Sequence, residues 1–244
     1  MRNIFRIGWL FAILPLYIHA QQINTLSPKE KAEGWQLLFD GKTLNGWHTF
    51  NHDKVLDGCW SVYNGEITFK LNPQHIGRGD LVTDDEFENF DFRLEWKVDK
   101  GSNSGIFFGV KEGIEYGWAS STGVEMQILD NIDGADRHDP THLAGAMYDL
   151  IDCQTTSTPK PAGEWNQVRI VKDNGQVTFW LNQIITAKVD MNSETWKDLV
   201  RNSKFNGANT YNGADFGKFS KGKISLQDHF DTVFFRNIKI KKIP

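Results

Sequence analysis

The chain has 244 residues, 27 of them basic and 31 acidic, for a formal charge of −4. Its one basic run, Lys239 to Lys242, sits at the C-terminus, so the footprint of a nucleic-acid binder is missing and no such partner is expected. Two cysteines, Cys59 and Cys153, exclude a disulfide-built scaffold; they either pair in an oxidising compartment or stay as buried thiols.

Residues 1–20 have the three parts of a secretory signal: Arg2 and Arg6, an apolar stretch over 7–18, and Ile18-His19-Ala20 as a cleavage site. That stretch is broken by Pro15 and is shorter than the roughly twenty residues that cross a bilayer. It reads as removed, with no membrane span, a mature start at Gln21, and export to the periplasm or medium. Without Arg2 and Arg6 the balance becomes 25 basic (27 − 2) against 31 acidic, a charge of −6. Residues 21–33 form a lead segment in which Ser27, Pro28 and Glu30 supply the cap, first-position proline and acidic support of a short helix. Residues 34–244 fit one large sandwich domain.

The patterned segments alternate with period two and are punctuated by Asn-Gly turns, the signature of antiparallel sheet. Strands 60–63 and 66–70 flank Asn64-Gly65, and strands 167–172 and 176–181 flank Asn174-Gly175; both are tight-hairpin sequences. Further strands are expected at 90–98, 105–110, 123–129, 145–151, 184–189, 223–227 and 232–241, with a short capped helix at 193–199 and a long unpatterned loop over 202–219. The fold class is therefore all-β, a two-sheet antiparallel sandwich in which alternate side chains of each strand meet in a shared interior.

Alternation also assigns the outer faces. Arg93, Glu95 and Lys97 oppose apolar neighbours on one strand, Glu125 and Gln127 on another, and Gln227 and His229 on a third. For any single strand this is what a solvated face looks like. Glu and Gln are nevertheless poor strand formers, and side chains that bond hydroxyls in pairs, near Trp118, Tyr148, Tyr211 and Phe216 as stacking surfaces, suit a sugar site laid in one groove. His142 and Tyr148-Asp149 follow an acidic loop, 130–139, whose spacing does not match the helix-flanked calcium loop. Glu125, His142 and His229 form a carboxylate–imidazole set of the kind that ligates a divalent metal; no organic cofactor is expected.

Six ordered blocks then become specific. Residues 34–47 (GWQLLFDGKTLNGW), 103–108 (NSGIFF), 124–130 (VEMQILD), 145–151 (GAMYDLI), 224–229 (ISLQDH) and 235–240 (FRNIKI) resemble the 3-keto-glycoside lyase/hydratase family, also called the 3-keto-disaccharide hydrolase domain. The resemblance implies a concanavalin-like jelly roll acting on an oligosaccharide or glycoside whose C3 hydroxyl a separate sugar 3-dehydrogenase has oxidised. Shared-face placement and the matched blocks together make Glu125 or His229 the candidate base at C2, and His142 and Tyr148 candidate proton donors or enolate-stabilising groups. Glu95, Lys97, Gln127, Asp149 and Gln227 would bind the substrate. The chain departs from the family pattern at Gly109, where a basic residue is common, at Val124, where proline is, and at Phe230, where glycine is usual. A lectin-like binding module is the alternative on the same fold, and a paired-carboxylate glycosidase using Glu95 and Glu125 ranks behind both.

Overall fold

The computed structural model describes residues 22–74, 77–207 and 215–244; the signal segment, Gln21 and Tyr211 lie outside them. In chain order the elements are α1 (Pro28–Ala32), β1 (Trp35–Leu37), β2 (Trp47–Thr49), β3 (Trp60–Tyr63), β4 (Glu66–Phe69), β5 (Leu81–Thr83), β6 (Phe90–Val98), β7 (Asn103–Val110), β8 (Val124–Leu129), β9 (Asn166–Asp173), β10 (Gln176–Leu181), β11 (Ile184–Asp190), α2 (Glu194–Asn202), β12 (Lys223–Leu226) and β13 (Val233–Lys242).

Both Asn-Gly pairs make the expected tight turns, with left-handed φ at Asn64 (52°) and Gly65 (76°) and at Asn174 (47°) and Gly175 (84°). Asn182 and Gln183 make a third turn of this hand, at 48° and 72°, between β10 and β11 without a glycine to announce it. Hydrogen bonding gathers the strands into an eight-stranded sheet, ordered β11-β10-β9-β6-β13-β4-β3 with β1 also on β13, and a five-stranded sheet, β2-β5-β12-β7-β8. Every pairing between named strands is antiparallel. The result is the two-sheet antiparallel sandwich of a jelly roll.

The inward sides close on one apolar core that includes Phe90, Phe92, Leu94 and Trp96 from the large sheet and Ile106, Phe108, Met126 and Ile128 from the small one. Each side chain of this size contributes about 1.5–3 kcal/mol through its removal from water. Cys59 and Cys153 are buried free thiols, so the unpaired alternative holds. Asn24 of the lead segment is tied to β13: its N–H donates to Asn237 Oδ1 at 2.6 Å and its Oδ1 accepts from Asn237 N at 2.8 Å.

Two expectations fail. Residues 145–151 form no strand; positive φ at Gly145 (92°) and Asp149 (58°) breaks the run, which instead follows the free edge of β8 through isolated bonds such as Gln127 N–H to Ala146 O at 3.0 Å. More important for function, β6 belongs to the large sheet while β8 and β12 belong to the small one. Glu95 and Lys97 therefore do not share a groove with Glu125, Gln127 and Gln227. Sequence alternation gives the face of a strand but not its sheet.

On that outer face of the large sheet the charges are partnered. Arg236 Nε donates to Glu95 at 2.7 Å, Lys97 lies 3.6 Å from Glu66 and over the rings of Trp165 and Phe234, and Arg93 and Arg169 each grip Asp91 through two bonds of 2.9–3.1 Å. Among the described residues no helix is long and apolar enough to cross a membrane.

Asp91 is buried beneath two half-exposed guanidinium groups, so it carries most of this lattice. Asp91→Ala is expected to lower the free energy of unfolding by about 1–3 kcal/mol, discounted from a fully buried pair because the arginines reach water; urea unfolding measures it.

Candidate active site

The five-stranded sheet turns its outer face to a cleft of about 740 Å³. Register sets the floor. Phe107 of β7 stands opposite Glu125 on one side and Ser225 on the other, and Ser225 stands opposite Val82. One row on, Gly105 pairs with Gln127, and its carbonyl accepts from Gln227 N–H at 2.9 Å. Gly105 leaves a gap between the two glutamines that the Glu125 carboxyl fills. A Cβ built on Gly105 would sit 2.0 Å from Glu125 Oε1.

Glu125 and Gln127 face outward from the sheet as alternation requires, yet neither is solvated: they are 5% and 1% exposed. The covering is local. Gly145 N–H and Tyr148 N–H donate to the Gln127 and Glu125 carbonyls at 2.8 and 3.1 Å, which draws 145–148 along the edge of β8 and carries the Tyr148 ring into the cleft. Lys204 lies with its ammonium 3.9 Å from the centre of that ring, and its backbone N–H donates to Asp149 at 2.8 Å.

Desolvation pushes the Glu125 carboxyl up to about 8; Lys204 pulls it partly back, and Asp80 and Asp136 add repulsion. Asp80 is raised to about 7, chiefly by burial and further by the Asp228 charge, although the Asp228 and Ala119 amides offset part of the rise. Burial and the surrounding carboxylates, Glu125 first, push the Tyr148 phenol above its usual range, so it remains an O–H donor. The cleft thus holds two carboxyls that exchange protons near neutrality beside a phenol that does not ionise there.

The amides are equally telling. Both side-chain polar atoms of Gln127 and the Oε1 of Gln227 are buried and make no hydrogen bond to the described protein. A buried polar atom left without a partner costs about 1–3 kcal/mol. Both side chains line the cleft, where a hydroxylated ligand would satisfy them.

His229 also lines the cleft, but at its rim, with a half-exposed ring 4.0 Å from Asp231. His142 and Asp149 are not in the lining. His142 stacks on Tyr148, ring centroids 4.2 Å apart, and its Nε2 lies 3.6 Å from Asp149 and 3.8 Å from Asp139. These two support Tyr148 and Lys204 from behind. Of the proposed stacking residues, Trp118 is exposed on the cleft, whereas Phe216 is core, stacked on Phe205 at 3.9 Å.

Among the described residues no three His, Cys, Asp or Glu side chains are gathered to hold a metal, so Glu125, His142 and His229 do not form the ligand set that their chemistry allowed. Carboxylates of the 130–139 loop are used in its own turns and neighbours: Asp130 accepts from Gly101 and Ile132 amides, Asp136 from Asn103, and Asp139 from Thr141.

Alternation missed Arg78, Asp80, Asp228 and Lys204. The buried Asp228 carboxylate accepts from Arg78 Nε and Nη2, both at 3.2 Å, and from Gly79 N–H at 2.9 Å, while its own N–H donates to Asp80 Oδ1 at 2.9 Å. All four lie in loops or beyond strand ends, where period two carries no signal. Asp228 also accepts the Phe230 N–H, at 3.1 Å, within a turn that holds Phe230 at φ +68°. That conformation costs about 1–2 kcal/mol for a residue with a side chain, of which the Arg78 guanidinium stacked 3.4 Å from the ring centre returns about 0.5–1 kcal/mol.

Residues 34–241 match the model of the 3-keto-alpha-glucoside-1,2-lyase-like domain. The chain belongs to that family. A 3-keto-disaccharide hydrolase of Bacteroides thetaiotaomicron is 32% identical, over 92% of this chain and 83% of that protein. The crystal structure of a candidate glycosyl hydrolase from Parabacteroides distasonis superposes with a TM-score of 0.82 at 31% identity, covering 91% of this chain and all of the other. A carbohydrate-binding module from Bacillus subtilis, at 12% identity and a TM-score of 0.50 over 81% of this chain and 96% of its own, shares the fold alone.

The raised carboxyl of Glu125 has a consequence for stability. The folded protein holds this proton up to about pH 8, whereas the unfolded chain releases it near pH 4.5, so between these values the folded state binds more protons and stability falls as pH rises. Glu125→Gln removes that share. Relative to wild type the variant is expected to gain up to about 1.4 kcal/mol per pH unit between pH 5 and 8, read from urea unfolding at several pH values; parallel curves would contradict the assignment.

Proposed function

We propose that the cleft cleaves 3-keto-glycosides by elimination and hydration. The C3 ketone acidifies the proton on C2. Glu125, as carboxylate, takes that proton, and the electron pair of the C2–H bond passes into a C2–C3 enolate. As the ketone re-forms, the double bond moves to C1–C2 and the C1–O bond breaks; the departing oxygen takes a proton. Water then adds at C1 and a proton returns to C2 of the 2-hydroxy-3-keto-glucal, giving 3-keto-glucose and the free aglycone.

The observation that carries this reading is the desolvated Glu125 carboxyl, raised to about 8 and folded over Gly105 in a cleft whose amides lack partners. Such a carboxyl is basic enough to take a carbon acid's proton. His229, the other candidate base, sits at the exposed rim. Tyr148, kept protonated, is suited to stabilise the enolate oxygen or protonate the leaving group, with His142 positioning it by stacking. Gln127 and Gln227 would bind sugar hydroxyls, and Asp80 is a second proton-exchanging carboxyl. Glu95 stands on the opposite sheet, so a glycosidase pairing of Glu95 with Glu125 across one bond is ruled out. The family membership and the named relative support a sugar-processing enzyme over a pure binder. The signal segment read in the sequence supports a site of action outside the cytoplasm.

Incubation with 3-keto-glucosides and their unoxidised parents, followed by NMR, should show glucal and 3-keto-glucose from the former only. The base must be ionised, so kcat/KM should rise with pH and level off above about 8, with apparent pKa values between about 7 and 8 that belong to Asp80 and Glu125 together. Glu125→Gln should slow turnover at least about a hundredfold, or ~2.7 kcal/mol of transition-state stabilisation. Full activity in that variant, or equal turnover of unoxidised glycosides, would sink the proposal.

Gly105→Ala offers a second test that removes no polar group. Its methyl must displace the Glu125 carboxyl, so turnover should fall by about tenfold or more, as misplacement of a reacting group implies. Wild-type turnover would mean that Glu125 acts from another position.

A further inference from the structure

We propose that Phe230, with Trp118, forms a platform at the cleft mouth that selects glycosides whose leaving group is itself a ring with an apolar face. This rests on the keto-glycoside reading for what lies in the cleft, but the platform is argued from its own geometry.

Phe230 holds a left-handed backbone at φ +68°, which asparagine or glycine adopts at far lower cost. Phe230 is 56% exposed, so the core does not compensate for that strain. The ring is nevertheless fixed. One face lies on the Arg78 guanidinium, Arg78 is held by two hydrogen bonds to Asp228, and Asp228 also accepts the Phe230 N–H. An exposed aromatic ring on a strained turn with a rigid backing is a presented surface, and strain of this kind gathers at ligand sites.

Trp118 is the second ring of the cleft lining at the same exposure, 56%. The floor, by contrast, is carboxyl and amide. A sugar whose hydroxyls bind Gln127 and Gln227 and whose C2 faces Glu125 would leave its C1 substituent to reach these exposed rings of the same cleft. Both an aryl group and the C–H face of a second sugar stack on such rings.

Calorimetry with unoxidised phenyl glucoside, a glucose disaccharide and methyl glucoside, in both anomers, separates these sources without turnover. Wild type should bind the phenyl or disaccharide ligand at least fivefold more tightly than methyl glucoside. In Phe230→Gly and Phe230→Asn that preference should fall below twofold, although both variants melt at or above the wild-type temperature because the strain is relieved. Loss for the phenyl ligand alone assigns an aryl leaving group, and loss for the disaccharide alone assigns a sugar. Absence of a ring preference in wild type, or its survival in both variants, overturns the platform. Protein that shows the preference yet leaves 3-keto-glucosides intact refutes the chemistry and not the platform.

Discussion

The structure around the cleft depends on one constraint: the Glu125 carboxyl is removed from water, and the Lys204 charge only partly offsets that loss. Burying an ionised carboxylate costs several kcal/mol, and the chain meets this cost by letting the group hold its proton to about pH 8. The arrangement around it follows. Gly105 must lack a side chain so that the carboxyl has somewhere to lie, 145–148 must track the edge of β8 to exclude solvent, and Lys204 supplies only a partial charge balance. A fold optimised for stability alone would place an apolar residue at position 125.

The two outer faces of the sandwich make the contrast plain. On the large sheet Glu95 and Lys97 are engaged in ion pairs or ring contacts. On the small sheet the buried amides of Gln127 and Gln227 keep unbonded atoms. Paired charge on a solvated face is worth little either way, but unpaired buried polarity is costly and persists where a ligand completes it. The face with unmet bonding capacity is the one with the cleft.

Much of this was legible in the sequence. Period-two alternation and the Asn64-Gly65 and Asn174-Gly175 turns gave the sandwich and most of its strands, and alternation alone put Glu125 and Gln127 on an outer face. The three-residue strands β1, β2 and β5 are too short to show a period. Sheet membership was not legible, which is why Glu95 and Lys97 were grouped with residues of the other sheet. Burial of an outward-facing residue was not legible either, because it depends on 145–148 folding back, and on Lys204, 79 positions beyond Glu125 in the chain. Arg78, Asp80 and Asp228 form their cluster through loops joined across the sheet, a long-range arrangement that leaves no local pattern. Glu125, Tyr148 and Gln227, all within the six family blocks, line the cleft.

The central claim is that Glu125 removes the proton at C2, and it can be examined without any leaving group. 3-Keto-glucose in deuterium oxide should exchange its C2 hydrogen in the presence of the protein, faster than the spontaneous rate and only at C2, as followed by proton NMR. Glu125→Gln should return the exchange to the spontaneous rate. Catalysed exchange that is undiminished in that variant, or none with the wild-type protein, would contradict the account.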